Sequence, residues 1–142
     1  MVAAMVTGAA FSIGNLMISS TKYAPYFPWS SSYLIGANEI ANYSCNTATS
    51  LAVMGKSVLV IDMDPQGNAT TSFGIDKTKL ENTIYDAIIG DVSVKKVTIP
   101  TFIKNLFIVP SNISLSGAGV ELSKKENYHI VLKETLKDLP PL

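Results

Sequence analysis

Asp62 and Asp64 stand at alternate positions directly after the apolar run Val58, Leu59, Val60, Ile61, and Pro65-Gln66-Gly67 follows them at once. A pair of carboxylates spaced in this way serves metal-dependent group transfer in some proteins and is a plain surface turn in others. The run that must position them is unbroken, rich in β-branched residues and bounded by Gly55-Lys56. Such a run reads as a short strand buried on both faces, as in a parallel sheet. Open parallel sheets take ligands beyond the carboxyl ends of their strands, so the two acids fall where chemistry is usually done. Both are expected at that end, exposed enough to reach a metal.

The flanking elements are legible as well. From Ala41 the pattern is helical, with Cys45, Ala48, Leu51 and Ala52 on one face, and Gly55 stands where a left-handed C-cap belongs. A helix that ends there and feeds a strand is the α-to-β step of a layered α/β fold. Downstream, residues 70–73 start a short helix that Gly74 ends. Thr83 is an N-cap for a helix over Ile84–Ile89, with Ile84, Ala87 and Ile88 facing inward and Gly90 stopping it. Residues 92–99 are ambiguous, with room for a single helical turn before Pro100. Leu106–Val109 is a second buried strand, parallel and adjacent to the first, closed by Pro110-Ser111-Asn112. Tyr128, Val131, Leu132, Thr135, Leu136 and Leu139 mark an amphipathic helix broken by Pro140-Pro141.

The segment DMDPQGNATTSFGI, together with SLAVMGKSVLVI before it and NTIYDAIIGDVSV and LFIVPSN after it, resembles the ParA/Soj partition ATPases, a branch of the deviant P-loop NTPases. The resemblance runs from about Asn46 to the C-terminus. It implies a partial P-loop NTPase-like α/β fold, a parallel sheet flanked by helices, with residues 45–142 as the family domain and residues 1–44 as an atypical, poorly ordered segment. It also implies that Asp64, in the first switch region, helps place the attacking water and that Asp62 lies near the magnesium shell. Pro65, Gln66, Gly67 and Asn68 join Asp62 on the nucleotide side. The implied cofactors are ATP and Mg2+. The implied role is ATP-dependent dimerisation and nonspecific DNA binding in chromosome or plasmid segregation, with a ParB-type partner and a cytoplasmic, nucleoid-associated location.

One family motif is missing. The pattern KGGVGKTT, counted back without gaps, falls on residues 35–42, which read IGANEIAN. Only Gly36 agrees. Ile35 and Ile40 occupy the two lysine positions, and Ala41 and Asn42 the hydroxyl positions, so the phosphate cradle and its charge are lost. No GxxxxGK[ST] or GxGxxG occurs elsewhere in the chain. The expectation is a chain that does not hydrolyse ATP by itself and holds magnesium only weakly. The family's Walker B strand and DNA-contacting surface would follow beyond Leu142. Without that strand and the P-loop strand, the strand from Val58 is expected to lack two neighbours on one side and to leave open edges.

Composition bounds these readings. A chain of 142 residues with 47% hydrophobic content allows one sizeable core. Eleven lysines, no arginine and eleven acids give a formal charge of zero, which provides no global reason for nucleic-acid or membrane binding. One cysteine, Cys45, excludes an intrachain disulfide, and with His129 the only histidine a structural zinc site lacks ligands. Cys45 reads as a small core residue and His129 as a solvated one. Lys77, Lys79, Lys95 and Lys96 alternate with acids and read as a solvated face. Before Lys56 only Lys22 and Glu39 are charged, which marks a boundary near residues 40–45. Residues 1–20 lack the basic start of a signal peptide and, with Thr7, Gly8, Ser12, Gly14 and Asn15, a clean membrane-spanning run. They read as a poorly ordered segment or a marginal helix, so no membrane association is expected. Pro25 and Pro28 among Tyr23, Tyr26, Phe27 and Trp29 make a loop. The first forty residues are expected to pack poorly on the core. Two other functions remain at this point: a non-catalytic module that modulates a full-length homologue, and an unrelated metal-dependent transferase using Asp62 and Asp64.

Overall fold

The computed structural model describes residues 3–7, 37–123 and 130–137. A four-stranded sheet of order β1-β2-β4-β3 contains β1 (Ala3–Thr7), β2 (Val58–Asp62), β3 (Ile99–Pro100) and β4 (Leu106–Val109). β2 and β4 are parallel neighbours, paired from Val58 with Leu106 to Ile61 with Val109. All five residues of β2 are buried, as the unbroken apolar run requires of a central strand. Alternation along the strands sends Val58, Val60, Leu106 and Ile108 to one face and Leu59, Ile61 and Val109 to the other.

Helix α1 (Ala37–Val53) and the short α2 (Asn68–Ser72) cover the first face through Ala41, Cys45, Ala48, Ala52, Ala69 and Phe73. The second face is covered by α3 (Ile84–Ile89), α4 (Val94–Val97), a 3-10 turn over Ile113–Gly117, α5 (Ala118–Leu122) and α6 (Val131–Leu136). The result is a helix-sheet-helix sandwich. Its stops follow the residue types. At the end of α1, Gly55 has φ +79°, its N–H donates to the Ala52 carbonyl at 2.9 Å, and Lys56 N–H donates to Leu51 at 3.1 Å, the paired closure of a Schellman cap. Thr83 precedes α3 and its N–H donates to the Asp86 carboxylate at 2.7 Å, while Gly90 ends that helix at φ +97°. None of the described helices is long and apolar enough to cross a membrane.

The fold departs from the sequence reading in two places. Residues 3–7, read as unstructured or marginally helical, form β1, which lies parallel to β2 with Ala3 opposite Val58 and Thr7 opposite Asp62. The open backbone groups along β2 outweigh the weak local preference of an alanine-rich stretch. The edge expected to stand open is therefore paired along these five residues. Helix α1 is continuous from Ala37 and takes in residues 37–42, where the missing phosphate motif was sought. An antiparallel strand also went unread: Ile99 pairs with Ile108 and Pro100 with Phe107. Proline is tolerated there because β3 is an edge strand, where one lost N–H breaks no ladder on the outer side. The proline-aromatic cluster at residues 23–29, along with Tyr128, His129, Lys124, Lys125, Leu139 and Pro140-Pro141, lies outside the described residues.

Candidate functional site

At the carboxyl end of β2 the chain leaves the sheet, turns through residues 63–67 and re-enters as α2. Asp62, the last residue of β2, is fully buried (0% exposed). One carboxylate oxygen accepts the Asp64 N–H at 3.1 Å. The other accepts the Thr70 N–H at 2.8 Å and the Thr70 hydroxyl at 2.6 Å. Burial raises the Asp62 pKa above the ordinary carboxylate value. The hydrogen bonds from Thr70 and from the Asp64 N–H oppose the rise, and the Asp64 charge adds to it.

Asp64 is 4% exposed. Its Oδ1 accepts the Gln66 N–H at 2.9 Å, and its Oδ2 accepts the side-chain amide of Asn68. An aspartate that bonds the backbone two residues on builds its own turn. Pro65-Gln66 forms the tip, and Gly67 closes the turn with φ +60°, its N–H on the Asp64 carbonyl at 2.8 Å. Glycine is required there on two counts. The left-handed backbone disfavours any side chain, and a Cβ would lie 2.8 Å from the Ser111 carbonyl oxygen. The Lys77 ammonium donates to the Gln66 carbonyl and crosses the outside of the turn.

The six residues singled out, Asp62, Asp64, Pro65, Gln66, Gly67 and Asn68, are thus one contiguous structure. The expected exposure of the acids is not found. Each Asp62 oxygen and each Asp64 oxygen already accepts a hydrogen bond from the protein, Asp62 Oδ2 accepts two, and both carboxylates are buried, so a cation would have to displace protein donors and reach oxygens closed to solvent. Among the described residues no group of three or more His, Cys, Asp or Glu side chains is arranged to hold a metal ion. The resemblance implies ATP and Mg2+, and the donor set does not fit direct coordination of magnesium, a hard cation that wants unencumbered oxygen ligands in octahedral geometry. Beside the turn, a cleft of about 420 Å³ lies between α1 and α2, lined by Ala41, Asn42, Asn68, Thr71, Ser72 and Lys77. Two of its lining residues, Ala41 and Asn42, occupy the positions where the family motif would carry hydroxyls. Cys45, buried one turn along α1, has its thiol pushed up to about 11 by burial and then by the charge of Asp62, which leaves it an inert core group.

Thr70 and Ser111 are the site residues that the sequence reading missed. Ser111, just past the end of β4, is fully buried, and its N–H donates to the Thr70 hydroxyl at 2.9 Å. A threonine between Ala69 and Phe73, both buried, was the available signal for the first. Nothing local pointed to the second, which lies 41 residues away. Lys77 is half-buried over the turn, whereas Lys79, Lys95 and Lys96 are exposed, and Lys79 pairs with Asp76 at 3.1 Å.

A family model described as an AAA domain (AAA_31) matches residues 40–140. The sporulation initiation inhibitor protein Soj of Bacillus subtilis is 39% identical over 94 residues, covering 66% of this chain and 37% of Soj. The chromosome partitioning protein ParA of Myxococcus xanthus is 38% identical over 94 residues, covering 66% of this chain and 33% of that protein. The match takes in about a third of the length of these curated relatives. Among solved structures, a cobyrinic acid a,c-diamide synthase from Mycobacterium smegmatis with bound ATP analog and magnesium has a TM-score of 0.69 at 24% identity. That match covers 95% of this chain and 46% of the synthase. The likeness extends to the fold: a sheet with parallel central strands and helices on both sides.

Proposed function

The chain belongs to the AAA_31 family and, within it, to the ParA/Soj partition ATPases, and from that premise we propose that residues 58–70 are the first switch region of a partition ATPase. The role is ATP-dependent segregation of chromosomal or plasmid DNA in the cytoplasm, at the nucleoid, with self-dimerisation, nonspecific DNA contact and a ParB-type partner. Asp64 is the acid that orients the attacking water. The observation that carries this reading is the turn itself: Asp64 is seated at the carboxyl end of a central parallel strand, with one oxygen fixed by the Gln66 N–H and the other held by the Asn68 side chain. Exchange of the Asn68 bond frees that second oxygen.

The same reading holds that this chain by itself does not turn over ATP. Phosphoryl transfer rests on positioning and on neutralising phosphate charge. Ile35 and Ile40 stand at the lysine positions of the motif, and Ala41 and Asn42 at its hydroxyl positions. A second reading, a non-catalytic module acting on a longer homologue, is favoured by one feature. From Ala41 to Gly55 α1 and its cap carry no charge, and Tyr43, Val53 and Met54 are exposed.

The test is a hybrid in which residues 58–112 replace the matching segment of Soj. The hybrid is expected to hydrolyse ATP, and Asp64→Ala within it to lower the rate by about a hundred- to a thousandfold, the usual cost of one preorganised catalytic contact. The isolated chain is expected to stay at background. An Asp64→Ala hybrid as active as its parent would end the assignment of Asp64.

A further inference from the structure

We propose that Thr70 is the positioning residue of the turn, a latch that transmits the position of the β4 end to Asp64, and that Asp62 is buried to serve this latch and not to bind a metal. The Thr70 hydroxyl has one proton. One of its two lone pairs accepts the Ser111 N–H at 2.9 Å, and its own proton goes to Asp62 Oδ2 at 2.6 Å. The hydroxyl is therefore fixed in direction by partners on two different strands, β2 through Asp62 and the β4 exit through Ser111. A chain running N–H to hydroxyl to carboxylate polarises in one sense, and each bond strengthens the next.

Ser111 meets the turn a second time. Its carbonyl oxygen lies where a Gly67 side chain would begin, so the backbone of one residue both holds α2 through Thr70 and limits the approach of the turn at Gly67. Asp64 is tied to both contacts by hydrogen bonds: its carbonyl accepts the Gly67 N–H at 2.8 Å, and its own N–H donates to Asp62, the partner of Thr70. A shift at the end of β4 must therefore move Asp64 or break the Thr70 bonds. The Ser111 hydroxyl is buried without a hydrogen-bond partner, so its backbone rather than its side chain makes these contacts. Hydrogen bonds within a neutral surface loop would not need a buried carboxylate. This one is compensated by two donors from a single residue, Thr70, and by the Asp64 N–H.

The consequence for catalysis rests on the reading of Asp64 as the switch acid, but the latch is tested in the full chain with no nucleotide present, so either idea can fail alone. Amide hydrogen exchange is compared for wild type, Thr70→Val and Thr70→Ser. Thr70→Val keeps the shape and loses the hydroxyl. Exchange at Asp64, Gly67 and Ser111 is expected to quicken by about tenfold relative to Ala87 and Gly90 in α3, the usual scale of one net hydrogen bond. Thr70→Ser is expected to restore slow exchange. If the valine variant does not fold, Asp62→Asn serves in its place, because its amide turns one N–H toward donors. Unchanged exchange in the turn, equal acceleration in α3, or a serine variant no better than valine would each overturn the proposal. So would a shift of the Asp62 carboxyl carbon resonance on adding magnesium chloride alone, since a latched carboxylate is expected to show none.

Discussion

The two faces of the sheet are built from side chains of different size, although the same strands feed both. Toward α1 and α2 the helices contribute Ala41, Cys45, Ala48, Ala52 and Ala69 to the buried cluster, with Phe73 just past α2 its one large buried group on the helix side and Leu51 partly buried against it. Toward α3 to α6 the helices and the 3-10 turn contribute Ile84, Ile88, Val94, Val97 and Leu115, with Ala87 and Ala118 the only small residues in that buried cluster. Small residues give little apolar area, so the first face gains from the close approach of α1 to the sheet, while the second gains from the quantity of surface removed from water. The polar turn belongs to the first face, since α2 packs beside α1 and the Cys45 thiol feels the Asp62 charge. The close-packed face thus holds the candidate site in place, and the bulky face holds the domain together.

Substitutions on the two faces sharpen this division. Ile84 is fully buried in the bulky cluster. Ile84→Ala is expected to cost about 2–5 kcal/mol in urea unfolding, the transfer loss plus the cavity left behind. Hydrogen exchange in residues 64–70 should keep its native ratio to the rest of the chain. Ala48 is fully buried on the opposite side, where α1 faces the strands. Ala48→Leu is expected to cost less, about 1–3 kcal/mol, because inserted methylenes must push α1 outward. Exchange in α2 and the turn should then quicken more than in α3. If Ile84→Ala loosened the turn preferentially while Ala48→Leu left it alone, the division of labour between the two faces would be reversed.

Much of this division was legible in the sequence. The unbroken run at Val58–Ile61 and the stripe of Cys45, Ala48 and Ala52 gave the central strand and the small-residue face. Gly55, Thr83 and Gly90 gave stops that depend on one residue and its immediate neighbours. The misses share another origin. β1 exists through pairing with residues some fifty positions away, β3 through pairing with β4, and neither has a local pattern strong enough to announce it. Burial of the two acids was missed for the same reason. Whether the Asp62 carboxylate faces solvent or the protein depends on the donors of Thr70, itself held by the Ser111 N–H, which only the folded chain assembles.

The smallest expected effect is a slope with pH, and it probes the turn that joins the two faces. The folded-state pKa of Asp62 is raised, burial being the largest cause. A raised carboxylate pKa means that the folded state binds the proton more tightly than the unfolded state does. Its contribution to stability is therefore fully present below the unfolded value of about 3.8 and is lost as pH rises through the folded value. Asp76 works in the opposite direction. Hydrogen bonds from the Thr78 hydroxyl and from Lys79 lower its pKa, so its contribution is present above the unfolded value and is lost as pH falls. Total stability against pH would mix the two. The difference between wild type and Asp62→Asn removes the mixing, because Asp76, which takes no part in the Asp62 shift, titrates in both chains and cancels. Measured by urea unfolding at a series of pH values, that difference is expected to shift in favour of wild type as pH falls from neutral toward the unfolded value. A shift in the opposite direction would mean that the Thr70 and Asp64 donors stabilise the Asp62 anion by more than burial penalises it. The close-packed face would then carry a fully compensated charge at its edge.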